Sequence, residues 1–367
     1  MKKLLAVALL CALAAPAIAA RKVAVADVDR LLAGKHNGSD YSVAALLADI
    51  ELTERCSRSC LARWESLHPG PQTHDALVAL ADASAFLNLP IAELPPDPAP
   101  GTDEQRRIVK LAADYLLKTL PMLPNFLADR RTVKYEPPLP DGRADYAMHM
   151  TLTPTDARAT QVVRRLTIRV AYRDGQEVLD TSTQSRSSGH PTSDDKHSSV
   201  NPRQLDSNGE FGPILKPILV DAPHGNLVWS HWERGADGLE AHFSFTVLLS
   251  NSHFRVNFPC GSSDTAHFPA YRGEFAVAPT TGAILRLTLF GTLPHPCPSV
   301  SSSIATEFGP VQLGGRAYIC PLHSVSISLI PPTPTIAPIT ELNDVVFTNY
   351  RLFRAESRIV SVGDAQP

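Results

Sequence analysis

Beyond about Arg131 the apolar residues of this chain recur at every second position, and that alternation commits most of it to a sheet. A slip of one residue would move every side chain to the other face, so each hairpin has a testable register. Asn251-Ser252 as a two-residue loop sets Leu249 opposite Phe254, Val247 opposite Val256 and Phe245 opposite Phe258. Asp237-Gly238 as a tight turn sets Trp232 opposite Phe243 and Val228 opposite Val247, and Asp174-Gly175 sets Val170 opposite Leu179. Around Gly282 a two-residue loop fails, because it places Glu274 against Leu289. A three-residue loop, Thr280-Thr281-Gly282 with a left-handed glycine, pairs Val277 with Leu285 and Phe275 with Leu287. Gly314-Gly315 marks a further bend, and a last strand or pair is expected over residues 344–362. The pattern predicts an antiparallel meander of roughly nine to eleven strands with one apolar face.

Residues 21–128 carry a helical period instead. A first helix is expected near Asp27 to Ala33. Ser39-Asp40 caps a second, with Val43, Leu46, Leu47 and Ile50 on one stripe. Thr53 is expected to cap a third, placing Leu52, Cys56, Cys60, Trp64 and Leu67 along its buried side, and Thr73 opens a fourth through Leu77, Leu80, Ala81 and Ser84. After a proline-rich linker, Pro90 to Gly101, Thr102 and Gln105 read as a capping box before Ile108, Leu111, Ala112, Tyr115 and Leu116. The fold class is therefore α+β: an α-helical N-terminal module (21–128), then a curved, half-barrel-like antiparallel β domain (129–362). A long polar stretch, 181–208, reads as a mobile loop, and 331–338 as a stiff connector.

Residues 1–20 read as an export signal: Met1-Lys2-Lys3, an apolar run from Leu4 to Ala15, then Ala17-Ile18-Ala19. Cleavage near Ala19 or Ala20 would leave a periplasmic or secreted protein. The run is too short to span a bilayer, and no other segment is long enough, so no transmembrane span is expected. The formal net charge of −3, more acidic once Lys2 and Lys3 are lost, leaves no footprint for nucleic acid. With Cys11 in the leader, Cys56, Cys60, Cys260, Cys297 and Cys320 remain, an odd set that leaves at least one thiol free. Cys260 and Cys297 each follow a strand running in the same direction and are the expected disulfide; Cys56 and Cys60 read as buried thiols.

The familiar catalytic signatures GxSxG, HExxH, GxxxxGK[ST] and GxGxxG are absent, and no cofactor is expected. Among thirteen histidines the best cluster is His231, Glu233 and His242, which the predicted register places together on the polar side of one hairpin. Two imidazoles and a carboxylate suit zinc, yet such a group reads first as a solvated cross-strand pair, so no metal is assigned. Asp194, Asp195 and His197 fall in the 181–208 loop, where no scaffold would hold them. Trp229 is expected on the polar face beside His231 and Thr246, where an exposed indole would mark a contact surface.

Several phrases resemble those of an uncharacterised family of secreted bacterial proteins: Leu52-Thr53-Glu54-Arg55, Ala81-Asp82-Ala83-Ser84-Ala85-Phe86-Leu87, Leu123-Pro124-Asn125-Phe126, Gly209-Glu210-Phe211-Gly212-Pro213, and Asn349-Tyr350-Arg351 with Ala355-Glu356-Ser357-Arg358. The resemblance carries no functional residue. At the level of architecture alone, the β domain is similar to the half-barrels of periplasmic lipoprotein carriers, which implies an apolar concavity. The expectation is thus an exported, non-enzymatic protein whose sheet binds an apolar molecule or lipid. Its candidate lining is Phe243, Phe245, Val247, Phe254, Val256, Phe258, Phe275 and Leu287, with Trp229 beside it. The alternatives are a structural or interaction module that docks an envelope protein, and a hydrolase built on Glu233, His242 and His231.

Overall fold

In the computed structural model, residues 20–35, 38–67, 70–137, 160–174, 176–179, 214–215, 220–258, 266–293, 300–330 and 339–353 are described. Residues 1–19 of the leader, the 181–208 loop, the 331–338 connector, and Cys260 and Cys297 with their expected disulfide lie outside them. Cys56, Cys60 and Cys320 are free and buried.

The N-terminal module begins with a short strand, β1 (Arg21–Val23), and α1 (Val25–Gly34), which buries Val25, Val28 and Leu32 along one stripe. The next helix, α2 (Asp40–Ala48), is capped as expected: the Ser42 amide donates to Ser39 Oγ. Thr53 opens no helix. Residues Ile50–Leu52 form β2, parallel to β1, and the Thr53 hydroxyl donates to the Val23 carbonyl. Two three-residue strands are too short to show a period, which is why the stripe through Leu52 and Cys56 read as helix. Next come α3 (Arg58–Leu67) and α4 (Pro71–Ala83), so that Cys56 precedes its expected helix. Amides of Gln72 and Thr73 donate to the Asp40 carboxylate, so α2 supplies the N-terminal cap of α4. These elements close their own core around Trp64, Leu32, Leu47 and Leu77.

Helix α5 (Thr102–Asp114) follows the proline-rich stretch and continues into a π-helical turn, Tyr115–Thr119. Its expected capping box does not form; Gly101 is the cap, and the Gln105 side chain donates from Nε2 to the Pro100 carbonyl instead.

The strands are β3 (Phe126–Glu136), β4 (Gln161–Arg173), β5 (Gln176–Leu179), β6 (Asn226–Gly235) and β7 (Gly238–Val247). Then come a short pair, β8 (Val256–Asn257) with β9 (Ala266–His267), and β10 (Tyr271–Val277), β11 (Ile284–Thr292), β12 (Ser301–Leu313), β13 (Arg316–Ile330) and β14 (Ile339–Leu352). Ten of them form one open antiparallel sheet in the order β5-β4-β3-β14-β13-β12-β11-β10-β7-β6. The last strand enters between β13 and β3 and joins the two halves of the domain. The predicted pairs Val170–Leu179 and Phe275–Leu287 are observed, with Gly282 at φ +77° and Gly314 and Gly315 also left-handed. A bulge after Ala276 sets Val277 against Ile284 rather than Leu285.

Two registers differ from expectation. No hairpin forms at Asn251-Ser252: residues Leu249–Asn251 make a 3₁₀ turn, and β7 pairs with β10 rather than with the segment carrying Phe254, Val256 and Phe258. That segment lies over the apolar face instead, so matched apolar residues reflected a shared core and not a shared ladder. Phe245 faces Gly273, where a Cβ would lie 2.7 Å from the ring. In the β6–β7 hairpin the turn comes earlier, with Gly235 opposite Gly238 and Glu233 opposite Glu240, and a bulge separates Trp229 from Trp232. The extra residue places Trp229 opposite Phe243 on the apolar side, not beside Thr246 on the polar one.

The sheet is covered on both faces. Helix α5 lays Ile108, Ala112 and Leu116 on the apolar face, while α4 sets Val78 and Ala79 against Val133, Tyr135, Val325 and Leu342 on the other. No helix among the described residues is long and apolar enough to cross a membrane.

Candidate metal centre on the polar face

Antiparallel pairing places one charged row across the polar face. His242 stands opposite Ala276, Ala276 opposite Arg286, Arg286 opposite Glu307, Glu307 opposite His323, His323 opposite Val346, and Val346 opposite Arg131. Neighbours in such a row are about 5 Å apart, so their charges are felt directly. Alternation alone would leave this row in water. The N-terminal module lies over it instead and brings its own complement: Arg55 reaches Glu233, Arg58 reaches Glu307, and Asp82 reaches His323.

Arg55 is aimed by its backbone. Its amide donates to the Asn88 carbonyl at 2.8 Å, and the next amide, of Cys56, donates to Ser84 Oγ at 3.0 Å. The loop before α3 is thereby tied to the end of α4. The guanidinium contacts both oxygens of the buried Glu233 carboxylate. Arg286 secures the same corner by donating to the Ala85 carbonyl.

Around Glu233 four side chains converge. His231 Nε2 lies 2.8 Å from Glu233 Oε1, and His242 Nδ1 lies 3.0 Å from Glu274 Oε1. The two imidazoles stack with centroids 4.6 Å apart. One ligand atom from each of His231, Glu233, His242 and Glu274 lies within 4.8 Å of all the others. His242 is wholly buried, and its Nε2 has no hydrogen-bond partner. The nearest carboxylate oxygens are Glu233 Oε2 at 3.5 Å and Glu240 Oε2 at 3.9 Å.

The electrostatics show how tightly these carboxyls are packed. Burial works against the ionised forms, yet the His231 hydrogen bond and the His242, Arg55 and Arg286 charges hold Glu233 well below the usual range. Glu274, equally resisted by burial, is held at about 2 by its bond to His242. Glu240, directly opposite Glu233, is pushed up to about 7 by burial and by the Glu233 and Glu307 charges. Burial lowers His242 and favours the neutral imidazole that a metal needs.

Farther along the row a second group forms. His323 Nε2 lies 2.8 Å from Asp344 Oδ1 and 3.7 Å from Asp82 Oδ1. Burial and the neighbouring acids Asp344 and Glu307 outweigh the charges of His323 and Arg58 and raise Asp82 to about 8. This group borders a cleft of about 230 Å³ between the module and the sheet, with Arg58, Arg131, Arg286 and Glu307 also on its walls.

The expected apolar lining is brought together. Phe243, Phe245, Val247, Phe254, Val256, Phe258, Phe275 and Leu287 share one cluster, and all are buried beneath α5 and its neighbours as core. Trp229 packs edge-on against Phe243 and Trp232. The His231, Glu233 and His242 group is also brought together, but with Glu233 and His242 buried and His231 half-buried rather than solvated, because the module covers it. The row through Arg286, Glu307 and His323 was visible only as charges at polar-face positions of successive strands. Arg55, Arg58 and Asp82 carried no periodic signal that could link them to it. The chain matches no family model, and searches of curated proteins and of solved structures find none similar to it.

Proposed function

We propose that this is an exported, non-enzymatic protein that holds one divalent first-row metal ion, of the zinc class, at His231, Glu233, His242 and Glu274. The observation that carries the reading is His242 Nε2: fully buried, unpartnered, and pointing between two carboxylates. A buried polar atom in that position costs stability unless something satisfies it. Two imidazoles and two carboxylates suit zinc and its neighbours. A zinc tetrahedron with bonds of about 2.1 Å has edges of roughly 3.4 Å, so small side-chain rotations close the set. Half-buried His231 and Glu274 leave the ion a way in from solvent.

All four ligands come from β6, β7 and β10 at one end of the sheet, and Glu233 also carries Arg55 of the helical module. An ion here draws three strands together and fixes the surface on which the module sits. Four protein ligands leave no position for substrate, which agrees with a structural role. The test is zinc titration of chelator-stripped protein by calorimetry, with metal counted by mass spectrometry. Zinc binding that falls by one ion per chain in His242→Ala supports the proposal. A folded wild-type chain that binds no zinc at micromolar concentration overturns it.

A second reading keeps an apolar ligand. A largely apolar crevice of about 220 Å³ lies between α2, α4 and the strands β13 and β14, bordered by Leu47, Ile50, Leu80, Leu87, Ile327 and Leu342. A stoichiometric lipid released from the purified protein by organic solvent would favour this reading.

A further inference from the structure

We infer that Asp82, His323 and Asp344 form a second metal site, open to the cleft, that takes a divalent first-row cation with water in its remaining positions. The site does not depend on the one built around His242. Across the sheet, β13 stands three strands from β10, roughly 14 Å at the usual strand spacing, and the two groups share no residue.

The three donors come from three elements and meet at one point. Asp82 lies in the last turn of α4, His323 on β13 and Asp344 on β14, and their ligand atoms lie within 4.8 Å of one another. Both carboxylates are buried, Asp82 at 4 % and Asp344 at 3 % exposure. The second observation is Asp82 Oδ2, which has no hydrogen-bond partner although its residue lines the cleft. A buried carboxylate oxygen is expected to be satisfied. Here the imidazole that could satisfy it is turned to Asp344, and a cation between the three would engage all of them. On binding, the proton on the Asp82 carboxyl leaves to solvent, and His323 Nε2 gives up its proton to solvent from the imidazolium or to Nδ1 from the neutral ring.

The chemistry of the set chooses the ion. One imidazole and two carboxylates suit manganese, iron(II) or zinc rather than a soft metal. Three protein ligands with an open side are the arrangement of sites that bind an exchangeable ligand, in contrast to the four ligands around His242. A cleft of about 230 Å³ holds several waters, at about 30 Å³ each.

Manganese is the probe. The metal-stripped full chain is titrated with Mn²⁺, with bound ion measured by electron paramagnetic resonance and bound water by proton relaxation enhancement. An open site gives enhancement. Its affinity should fall at least tenfold in Asp82→Asn and in Asp344→Asn, with circular dichroism unchanged, and should persist in His242→Ala. Two variants are used so that a folding failure in one leaves the other decisive. Wild-type affinity in every folded Asp82 and Asp344 variant overturns the site, as does a folded wild-type chain that binds no manganese. Loss of zinc in His242→Ala with manganese retained separates this site from the first.

Discussion

The two faces of the sheet are built by opposite rules. On the apolar face, Phe243, Phe245, Phe275 and Leu287 are buried by α5, and any covering of the right volume would serve. The rings pack at centroid distances near 6 Å, and α5 meets this cluster through the apolar side chains of Ile108, Ala112 and Leu116. On the polar face the covering is chosen residue by residue. Arg55 must find Glu233, because a buried charge without its counterpart is costly, and Asp82 is set beside His323. Apolar burial thus holds the sheet to α5, while charge complementarity fixes where the N-terminal module sits. Among the described residues, only the second face gathers a group of three or more side chains that can bind an ion.

The sharpest way to break this comparison is to damage each face alone. Phe245→Ala should lower stability by about 4 kcal/mol, since the ring is fully buried and Gly273 leaves it no neighbour able to fill the space. Urea unfolding at an unchanged m-value checks it, and zinc binding by the folded fraction should be unaltered. Arg55→Met should cost about 3 kcal/mol by leaving Glu233 buried without its guanidinium. Adding Glu233→Leu should recover part of that loss, which an apolar contact would not show. If Arg55→Met costs under about 1 kcal/mol, the pair behaves as a surface bridge and the contrast between the faces collapses.

Metal sharpens the comparison from the other side. Zinc at a hundredfold excess over its dissociation constant should stabilise the wild-type chain by about 2.7 kcal/mol through mass action. A chelator should remove the gain, and His242→Ala should remove the part that comes from its own site. Phe245→Ala should keep the full increment, because its lost contacts lie across the sheet from the ligands. A zinc increment that disappears with Phe245 would mean that the faces do not act independently.

What could be read from the chain follows the same division. Alternation and turn chemistry gave the strand content, the left-handed Gly282, and the Val170–Leu179 and Phe275–Leu287 pairs, because local geometry decides them. The segment Phe254 to Phe258 misled because an apolar strand beside a hairpin and an apolar segment folded over it present the same pattern. Trp229 misled through one extra residue in β6, since a bulge reverses which face everything before it occupies. The register of the hairpin brings His231, Glu233 and His242 together but reads them as a solvated pair. A polar face covered by a helical module has the same sequence period as one facing water. Glu274, Asp82 and Asp344 stayed hidden because their partners lie tens to hundreds of residues away, and only the strand order brings them together.

The smallest effect tests whether the module acts as a rigid cover or merely as a carrier of Arg55, Arg58 and Asp82. Ser39 accepts the Ser42 amide at the start of α2, a cap away from both faces of the sheet. Ser39→Ala should cost about 1 kcal/mol, the usual value of such a cap. Helix α2 buries Val43 and Leu47 in the module's own core, whereas the three residues aimed at the charged row are set by the tie between the 53–57 loop and α4. The loss should therefore appear in thermal unfolding while zinc and manganese affinities stay at their wild-type values. A tenfold fall in either affinity would show that the order of α2 reaches the ligands, which places the module's whole core, and not only its charged edge, in control of the polar face.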